Sequence, residues 1–105
     1  MRLELTERDF STAVEDLLST FGWRWTHFRP ARTEHSWVTA LSGHKGFLDY
    51  IAVRLSRLLI FELKSERGKL TPDQTEWLDA LEATGKVEVY IWKPGDWFQI
   101  LECLR

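Results

Sequence analysis

Two carboxylates and a lysine interrupt segments that are otherwise strongly apolar. Asp49 begins the run "DYIAVR", and Glu62 and Lys64 fall within the run "LLIFELK". A strand with this much apolar surface is usually covered on both faces, and a covered carboxylate is costly unless a cation, a metal or hydrogen bonds hold it. Lys64 could neutralise one of these carboxylates, and a hard divalent cation such as Mg²⁺, which prefers oxygen ligands, could neutralise the remaining charge.

A β-hairpin would bring these side chains together. A turn of two or four residues centred on Ser56-Arg57 pairs Asp49 with Lys64. Directly opposed residues share a face, so Glu62 projects with them, and the two carboxylates become diagonal neighbours with Cα atoms about 7–8 Å apart. A three-residue turn would send Asp49 to the other face. The plainer alternative is an exposed cross-strand ion pair between Asp49 and Lys64, which contributes about 0.2–1 kcal/mol.

The surrounding pattern predicts one α/β domain over residues 1–105. Apolar residues at helical spacing predict a helix over about residues 7–21 with Thr6 as its cap, and "TPDQ" predicts the start of a second helix through a capping box. A third helix is expected after Asp96 as its cap. Strands are expected at "WRWTHF", on either side of the hairpin turn and at "VEVYIW", with a long loop before the hairpin. This order describes a mixed β-sheet flanked by helices.

Length and composition limit the classes of protein to which this chain can belong. The chain has 105 residues, of which 44% are apolar and 13% aromatic, as in a globular domain rather than a disordered segment. Cys103 is the only cysteine, which excludes a disulfide framework and a zinc site built from several thiolates. The first residues lack the apolar core of a secretory signal, and no apolar stretch reaches the roughly 18 residues of a membrane helix. A cytoplasmic location is expected.

Charge is unevenly distributed along the chain, although the net charge is only −2. Residues 23–69 carry nine basic and four acidic side chains, a balance of +5, whereas residues 1–22 and 70–105 have balances of −3 and −4. The basic segment contains the carboxylates described above. A partner with phosphate groups would suit this segment, although chance clustering on a solvated surface explains it equally well.

Several motifs together resemble the PD-(D/E)XK nuclease superfamily. They are "TERDF", "GWRWTHFR", "GFLDY", "FELKSERGKLTPDQTEWL" and "VYIWKPGDW", which cover nearly the whole chain. Within the superfamily they resemble the small VRR-NUC branch, which includes phage proteins related to Holliday-junction resolvases. The resemblance implies a restriction-endonuclease-like sheet in the order αβββαβ(α). One departure is Leu48, which stands where the family usually has a proline before its aspartate; this residue shapes the backbone and supplies no ligand.

The resemblance implies an enzyme that hydrolyses DNA phosphodiester bonds with Mg²⁺ or Mn²⁺, acting on branched DNA such as a Holliday junction or a flap. Asp49, Glu62 and the backbone carbonyl of Leu63 would bind the metal. The metal would polarise the scissile phosphate and lower the pKa of a bound water. Lys64 would orient that water or stabilise the developing negative charge. Resolvases of this kind cut in pairs, so a homodimer is also implied.

The resemblance also implies a carboxylate from the first helix and a glutamine beside the site. Glu7 is favoured as the further metal ligand because it lies along the inward face of that helix, and the helix N-terminus by itself also favours an acid there. Glu15 lies on the flank and is expected to be solvated. Gln74 would contact Lys64 or a phosphate, although its place in the capping box explains it equally well.

Basic residues of the central segment are the expected contacts to DNA phosphates, which give affinity without reading sequence. They are His27, Arg29, Arg32, His44 and Lys45. The alternative for His27 is a core histidine with one bonded nitrogen, and the alternative for the others is simple solvation. Trp37 in the long loop could stack on an unpaired base.

Three functions therefore compete. A metal-dependent endodeoxyribonuclease leads, and a non-catalytic DNA-binding module on the same fold is the second. The third is a protein-interaction domain in which the charges of the hairpin form a plain ion pair.

Overall fold

The computed structural model describes residues 6–28 and 42–105, together with the backbone of two short strands between these ranges. The order of elements is α1 (Glu7–Thr20), β1 (Arg24–His27), β2 (Ala31–Arg32), β3 (Trp37–Val38), β4 (Tyr50–Arg54), β5 (Arg57–Leu63), α2 (Pro72–Ala83), β6 (Glu88–Trp92) and α3 (Trp97–Leu104). A four-stranded sheet has the order β1-β4-β5-β6, in which only β6 is parallel to its neighbour. The predicted mixed sheet flanked by helices is confirmed.

The local signals for two helix starts are also confirmed. The Thr6 hydroxyl accepts a hydrogen bond from the Asp9 N–H at 3.0 Å. At α2 the Thr71 hydroxyl accepts from the Gln74 N–H, and the Gln74 side-chain oxygen accepts from the Thr71 N–H, which completes the capping box. The third helix begins directly after Asp96, as predicted, with Asp96 at the N-cap position. The Asp96 side chain makes no cap bond to that helix and instead accepts from the Lys93 N–H at 2.9 Å.

The long segment before the hairpin contains an extra pair of strands that the sequence does not predict. Here β2 and β3 pair antiparallel, with Ala31 opposite Val38 and Arg32 opposite Trp37. This pair forms a separate two-stranded sheet. Strands of two residues carry too little alternation to be distinguished from loop in the sequence.

The hairpin register differs from the predicted one by two residues. Arg54 pairs with Arg57, so the turn consists of Leu55 and Ser56 rather than Ser56 and Arg57. Leu55 has φ of 54°, and a positive φ at the first turn position alone is the pattern of a type II′ turn. Because the shift is an even number of residues, every side chain keeps its predicted face.

The two faces of the sheet are covered differently. One face packs against α1 and α3 in a core whose members are Phe10, Val14, Leu18, Trp23, Tyr50, Ala52, Leu59, Phe61, Leu63, Trp92, Ile100 and Leu104. α2 crosses between the parallel strands β5 and β6, and none of its residues is buried or joins this core. We infer that α2 lies on the opposite face, where Ile60 and Glu62 project because they alternate with Phe61.

No helix in the part of the chain that the structure describes is long and apolar enough to span a membrane.

Candidate functional site

Asp49 and Glu62 meet at the end of the hairpin. The last pair of β4 and β5 is Tyr50 with Phe61, and one further step places Asp49 opposite Glu62 rather than diagonal to it. The Asp49 N–H donates a hydrogen bond to Oε2 of Glu62 at 3.1 Å. The Asp49 carbonyl accepts from the Phe28 N–H at 2.7 Å, so the backbone at this position is held from both sides.

Glu62 is the buried charged residue of this site, with only 2% of its surface exposed. Burial, followed by the contact with the Asp49 carboxyl group and by its charge, raises the pKa of Glu62 to about 8 from an ordinary value of 4.5. The charge of Lys64 and the bond from the Asp49 N–H act in the opposite direction. Glu62 therefore gives up its proton less readily than an ordinary glutamate, and it lies in contact with a second carboxyl group.

Lys64 is the cation next to this carboxyl pair. Its Nζ lies 3.7 Å from Oε1 of Glu62, and its side chain is only 17% exposed. The Lys64 N–H donates to the carbonyl of Trp92 at 2.9 Å, which anchors the residue at the junction of β5 and β6. The alternative of an exposed ion pair between Asp49 and Lys64 is wrong, because the lysine pairs with the buried glutamate.

Hard oxygen donors converge at this point, and their chemistry fits a divalent cation. Two carboxyl groups in contact can accept one ion between them once Glu62 loses its proton. Leu63 ends β5 with its side chain in the core, and Glu7 is exposed in the first turn of α1. Among the described residues, no group of three His, Cys, Asp or Glu side chains converges on one point. The metal roles of Leu63 and Glu7 stay predictions.

The start of α2 packs against the chain that leads into β4. Gly46 has φ of 85°, and a Cβ at this position would clash with the side chain of Asp73 and lie 3.2 Å from the Gln74 nitrogen. Only glycine allows this approach. Gln74 uses its side-chain oxygen in the capping box, and a role at a phosphate stays a prediction. Leu48, at the position of the family's proline, is fully buried.

His27 lies on the opposite face of the sheet from Asp49. It pairs with Tyr50 in the register of β1 and β4 and stacks on that ring at 4.1 Å. Its Nδ1 is 3.2 Å from Oε2 of Glu15, and the Tyr50 hydroxyl donates to the same oxygen at 2.6 Å. The expectation that Glu15 is solvated is therefore wrong, because this carboxylate joins α1 to the sheet. A contact of His27 with DNA stays a prediction.

The other predicted phosphate contacts are only partly within the described residues. His44 and Lys45 are exposed in the segment before β4, and the Lys45 Nζ lies 3.7 Å from Oδ2 of Asp73. Arg29 lies outside the described residues. Arg32 in β2 and Trp37 in β3 are described only by their backbone. Their contacts with DNA stay predictions.

The structure also contains a groove that the sequence does not predict. It has a volume of about 630 Å³ and lies between the segment Gly43–Lys45 and the first turns of α2. Trp77 and Ala80 form part of its lining. The helical spacing indicates only that Trp77 faces inward, and the groove depends on how the segment before β4 packs against α2.

Comparisons of the chain with protein-family models, with curated proteins and with solved structures found no match.

Proposed function

We propose that this protein is an endodeoxyribonuclease that depends on Mg²⁺ or Mn²⁺. The observation that supports the proposal is the contact of Asp49 with Glu62 beside Lys64 on one face of the sheet. Two carboxyl groups and a lysine at one point are a common arrangement for metal-assisted hydrolysis, and this arrangement agrees with the motifs that resemble PD-(D/E)XK nucleases.

The energetics of the carboxyl pair favour a functional role over a structural one. A buried carboxyl group beside a second one is unfavourable in the ionised form, and an apolar pair at the same positions would serve the fold at least as well. Glu62 has lost nearly all contact with solvent, while Asp49 remains half-buried. A site that is open to solvent through Asp49 gives an ion or a substrate a way to reach Glu62.

Each side chain has a defined part in the proposal. Asp49 and Glu62 would hold the cation, which when bound supplies Lewis-acid stabilisation of a scissile phosphate and an acidified water. Lys64 contributes a positive charge that stabilises negative charge on the phosphate oxygens. His44 and Lys45, both exposed near the start of α2, would hold flanking phosphates.

Branched DNA is the proposed substrate class, and a homodimer is the proposed assembly, because resolution of a junction needs two cuts. The oligomeric state is measured by light scattering on the purified chain with and without a four-way junction. A protein that stays monomeric with and without the junction would contradict paired cutting of a junction. Cleavage of a single strand at a flap would then be the remaining proposed activity.

A non-catalytic DNA-binding module is the second candidate. It is favoured by the two protein contacts of Glu62, which accepts a hydrogen bond from the Asp49 N–H and lies 3.7 Å from the Lys64 Nζ. In this case Mg²⁺ and Mn²⁺ would have no effect on binding, and affinity would fall steeply with salt concentration.

The decisive experiment incubates the protein with four-way, flap and linear DNA in Mg²⁺, in Mn²⁺ and in EDTA. We expect cleavage in either metal and none in EDTA. Lys64→Ala should abolish cleavage and preserve DNA binding, whereas Lys86→Ala, an exposed lysine in the turn before β6, should leave cleavage unchanged.

Metal binding has a readout that does not depend on activity. Titration calorimetry with Mn²⁺ should detect binding to the wild-type protein and none to Asp49→Asn. Wild-type protein that neither binds Mn²⁺ nor cuts any substrate would rule out the nuclease and leave the second candidate.

A further inference from the structure

The groove between Gly43–Lys45 and α2 lies on the chain segment that leads to Asp49. Gly46 follows the groove segment directly and packs against the backbone near Gln74, and Asp49 is three residues further along the chain. Four residues span at most about 14 Å, so a DNA strand held near Asp49 would reach the groove within a few nucleotides.

Trp77 gives the groove a rigid aromatic surface. Its indole N–H donates to the carbonyl of Lys45 at 3.1 Å. The Phe47 ring meets the indole edge-to-face, with centroids 4.9 Å apart and an angle of 89° between the planes. The ring is half-buried and lines the groove, so one part of it is fixed by packing and another part faces the open space. A fixed aromatic plane loses little entropy when a flat ligand stacks on it.

The two walls of the groove differ in charge. The loop wall carries the exposed side chains of His44 and Lys45, and the helix wall carries Asp73 and Glu76. Lys45 forms an exposed pair with Asp73 at 3.7 Å, which a phosphate can replace as its partner, and His44 offers a further hydrogen-bonding group on the loop side. The carboxylates repel a phosphate but accept hydrogen bonds from the amino and imino groups on the edge of a nucleobase. A nucleotide matches both walls, because it has a flat base with N–H donors on its edge and a negatively charged phosphate.

We propose that this groove binds one unpaired nucleotide of a DNA strand, with its base on Trp77 and its phosphate toward His44 and Lys45. The inference rests on the proposed function and narrows its substrate class to DNA with an unpaired nucleotide beside the cut. Blunt duplex DNA cannot fill the groove unless a base leaves the helix, which costs free energy.

The test compares two single-stranded ligands of equal length by fluorescence anisotropy in EDTA at low salt. One is oligo(dC), whose bases have amino donors, and the other is a chain of abasic spacers, which keeps the phosphates and lacks the bases. We expect the wild-type protein to bind oligo(dC) about tenfold more tightly, as one base stacked on an aromatic ring would give.

Two exposed alanines of α2 offer a matched pair of variants. Ala80→Leu fills the groove, whereas Ala83→Leu places the same side chain one turn further along the helix, at a position that does not line the groove. Leucine favours a helix nearly as well as alanine, so both variants should fold. We expect Ala80→Leu to lose the preference for bases and to keep its affinity for the spacer, and Ala83→Leu to match the wild type.

The outcomes separate this inference from the nuclease proposal. Equal wild-type affinity for both ligands, or a preference that survives in Ala80→Leu, would overturn the groove assignment even if metal-dependent cleavage occurs. Loss of the preference in Ala80→Leu alone supports the groove even if no metal triggers cleavage, because the assay contains EDTA and measures binding only.

Discussion

The backbone N–H of Asp49 donates to the side chain of Glu62, and the two carboxyl groups are themselves in contact. One residue thus both holds the buried glutamate and opposes its ionisation. The carboxyl pair can hold either a proton or a cation, and which of the two it holds determines the charge of the site formed by Asp49, Glu62 and Lys64.

The stability of the metal-free protein should decrease as the pH rises through the titration range of Glu62. The folded state keeps the Glu62 proton up to about pH 8, the raised pKa, whereas the unfolded chain releases it near 4.5. Between these values the folded state binds more protons, so the free energy of unfolding falls with increasing pH. Urea unfolding in EDTA at pH 5, 6.5 and 8 measures the effect.

Glu62→Gln isolates this contribution because the amide cannot ionise. Its stability relative to the wild type should improve steadily from pH 5 to pH 8. Glu82→Gln, which removes an exposed negative charge on α2, is the control. A difference between Glu62→Gln and the wild type that is constant with pH would show that the glutamate is ionised in the folded protein.

Gly46→Ala should be clearly more destabilising than Gly43→Ala. Both glycines have positive φ, of 85° and 93°, so alanine is strained at each by about 1 kcal/mol. Only at Gly46 would the added methyl group collide with Asp73, since a Cβ at Gly43 meets open space. For Gly46→Ala we expect the free energy of unfolding, measured in urea, to fall by about 2 kcal/mol or more. Equal losses would mean that the segment before β4 does not pack tightly on α2.

Arg54 joins the carboxyl ends of two helices. Its guanidinium donates to the carbonyls of Phe21, Leu104 and Arg105 at 3.0, 2.8 and 3.2 Å, and it lies over the Trp23 ring at 4.5 Å. Arg54→Ala would remove one donor from each of these helix-end carbonyls, while the Leu104 carbonyl keeps the bond from the Trp23 indole N–H at 2.8 Å. We expect the free energy of unfolding to fall by about 2 kcal/mol.

The control for Arg54 is Arg105→Ala, because the side chain of Arg105 forms an exposed pair with Glu102. Arg105→Ala should lower the free energy of unfolding by no more than about 0.5 kcal/mol. Thermal or urea unfolding of both variants measures the difference. A cost for Arg54→Ala as small as that of the control would show that water replaces the three bonds without penalty.

Leu55→Gly should stabilise the protein. Leu55 is 95% exposed and has a positive φ that a non-glycine residue adopts at a cost of about 1–2 kcal/mol. Relief of this strain exceeds the free-energy cost of the greater entropy that glycine gives the unfolded chain. We therefore expect the free energy of unfolding to rise by about 0.5 kcal/mol. Ser56→Gly, at the turn position without a positive φ, should instead destabilise. The two variants are compared by their urea midpoints, and a loss in both would contradict the turn assignment.

Features set by neighbouring residues could be predicted from the sequence. The caps at Thr6 and Thr71 depend on side chains three residues away, and both bonds are present. The shared face of Asp49 and Glu62 could be predicted as well, because it depends only on the parity of the turn.

Features set by distant contacts could not be predicted. The sequence predicts the turn one residue late because Leu55 adopts a conformation that usually requires glycine or asparagine, and leucine gives no such signal. The helical angle of Glu15 on α1 predicts a solvated side chain, but the Tyr50 hydroxyl from the sheet reaches this carboxylate. The groove at Trp77 likewise depends on the packing of two separate segments.

The absence of any buried residue on α2 has a consequence for access to the site. Hydrogen exchange reports the least stable cooperative units of a protein, and a helix that contributes nothing to the main core belongs among them. The amides of α2 should therefore exchange well before those of α1 and β5. Local opening of this helix would leave the main core intact, so exposure of the sheet face beneath it and survival of the fold are energetically separate events.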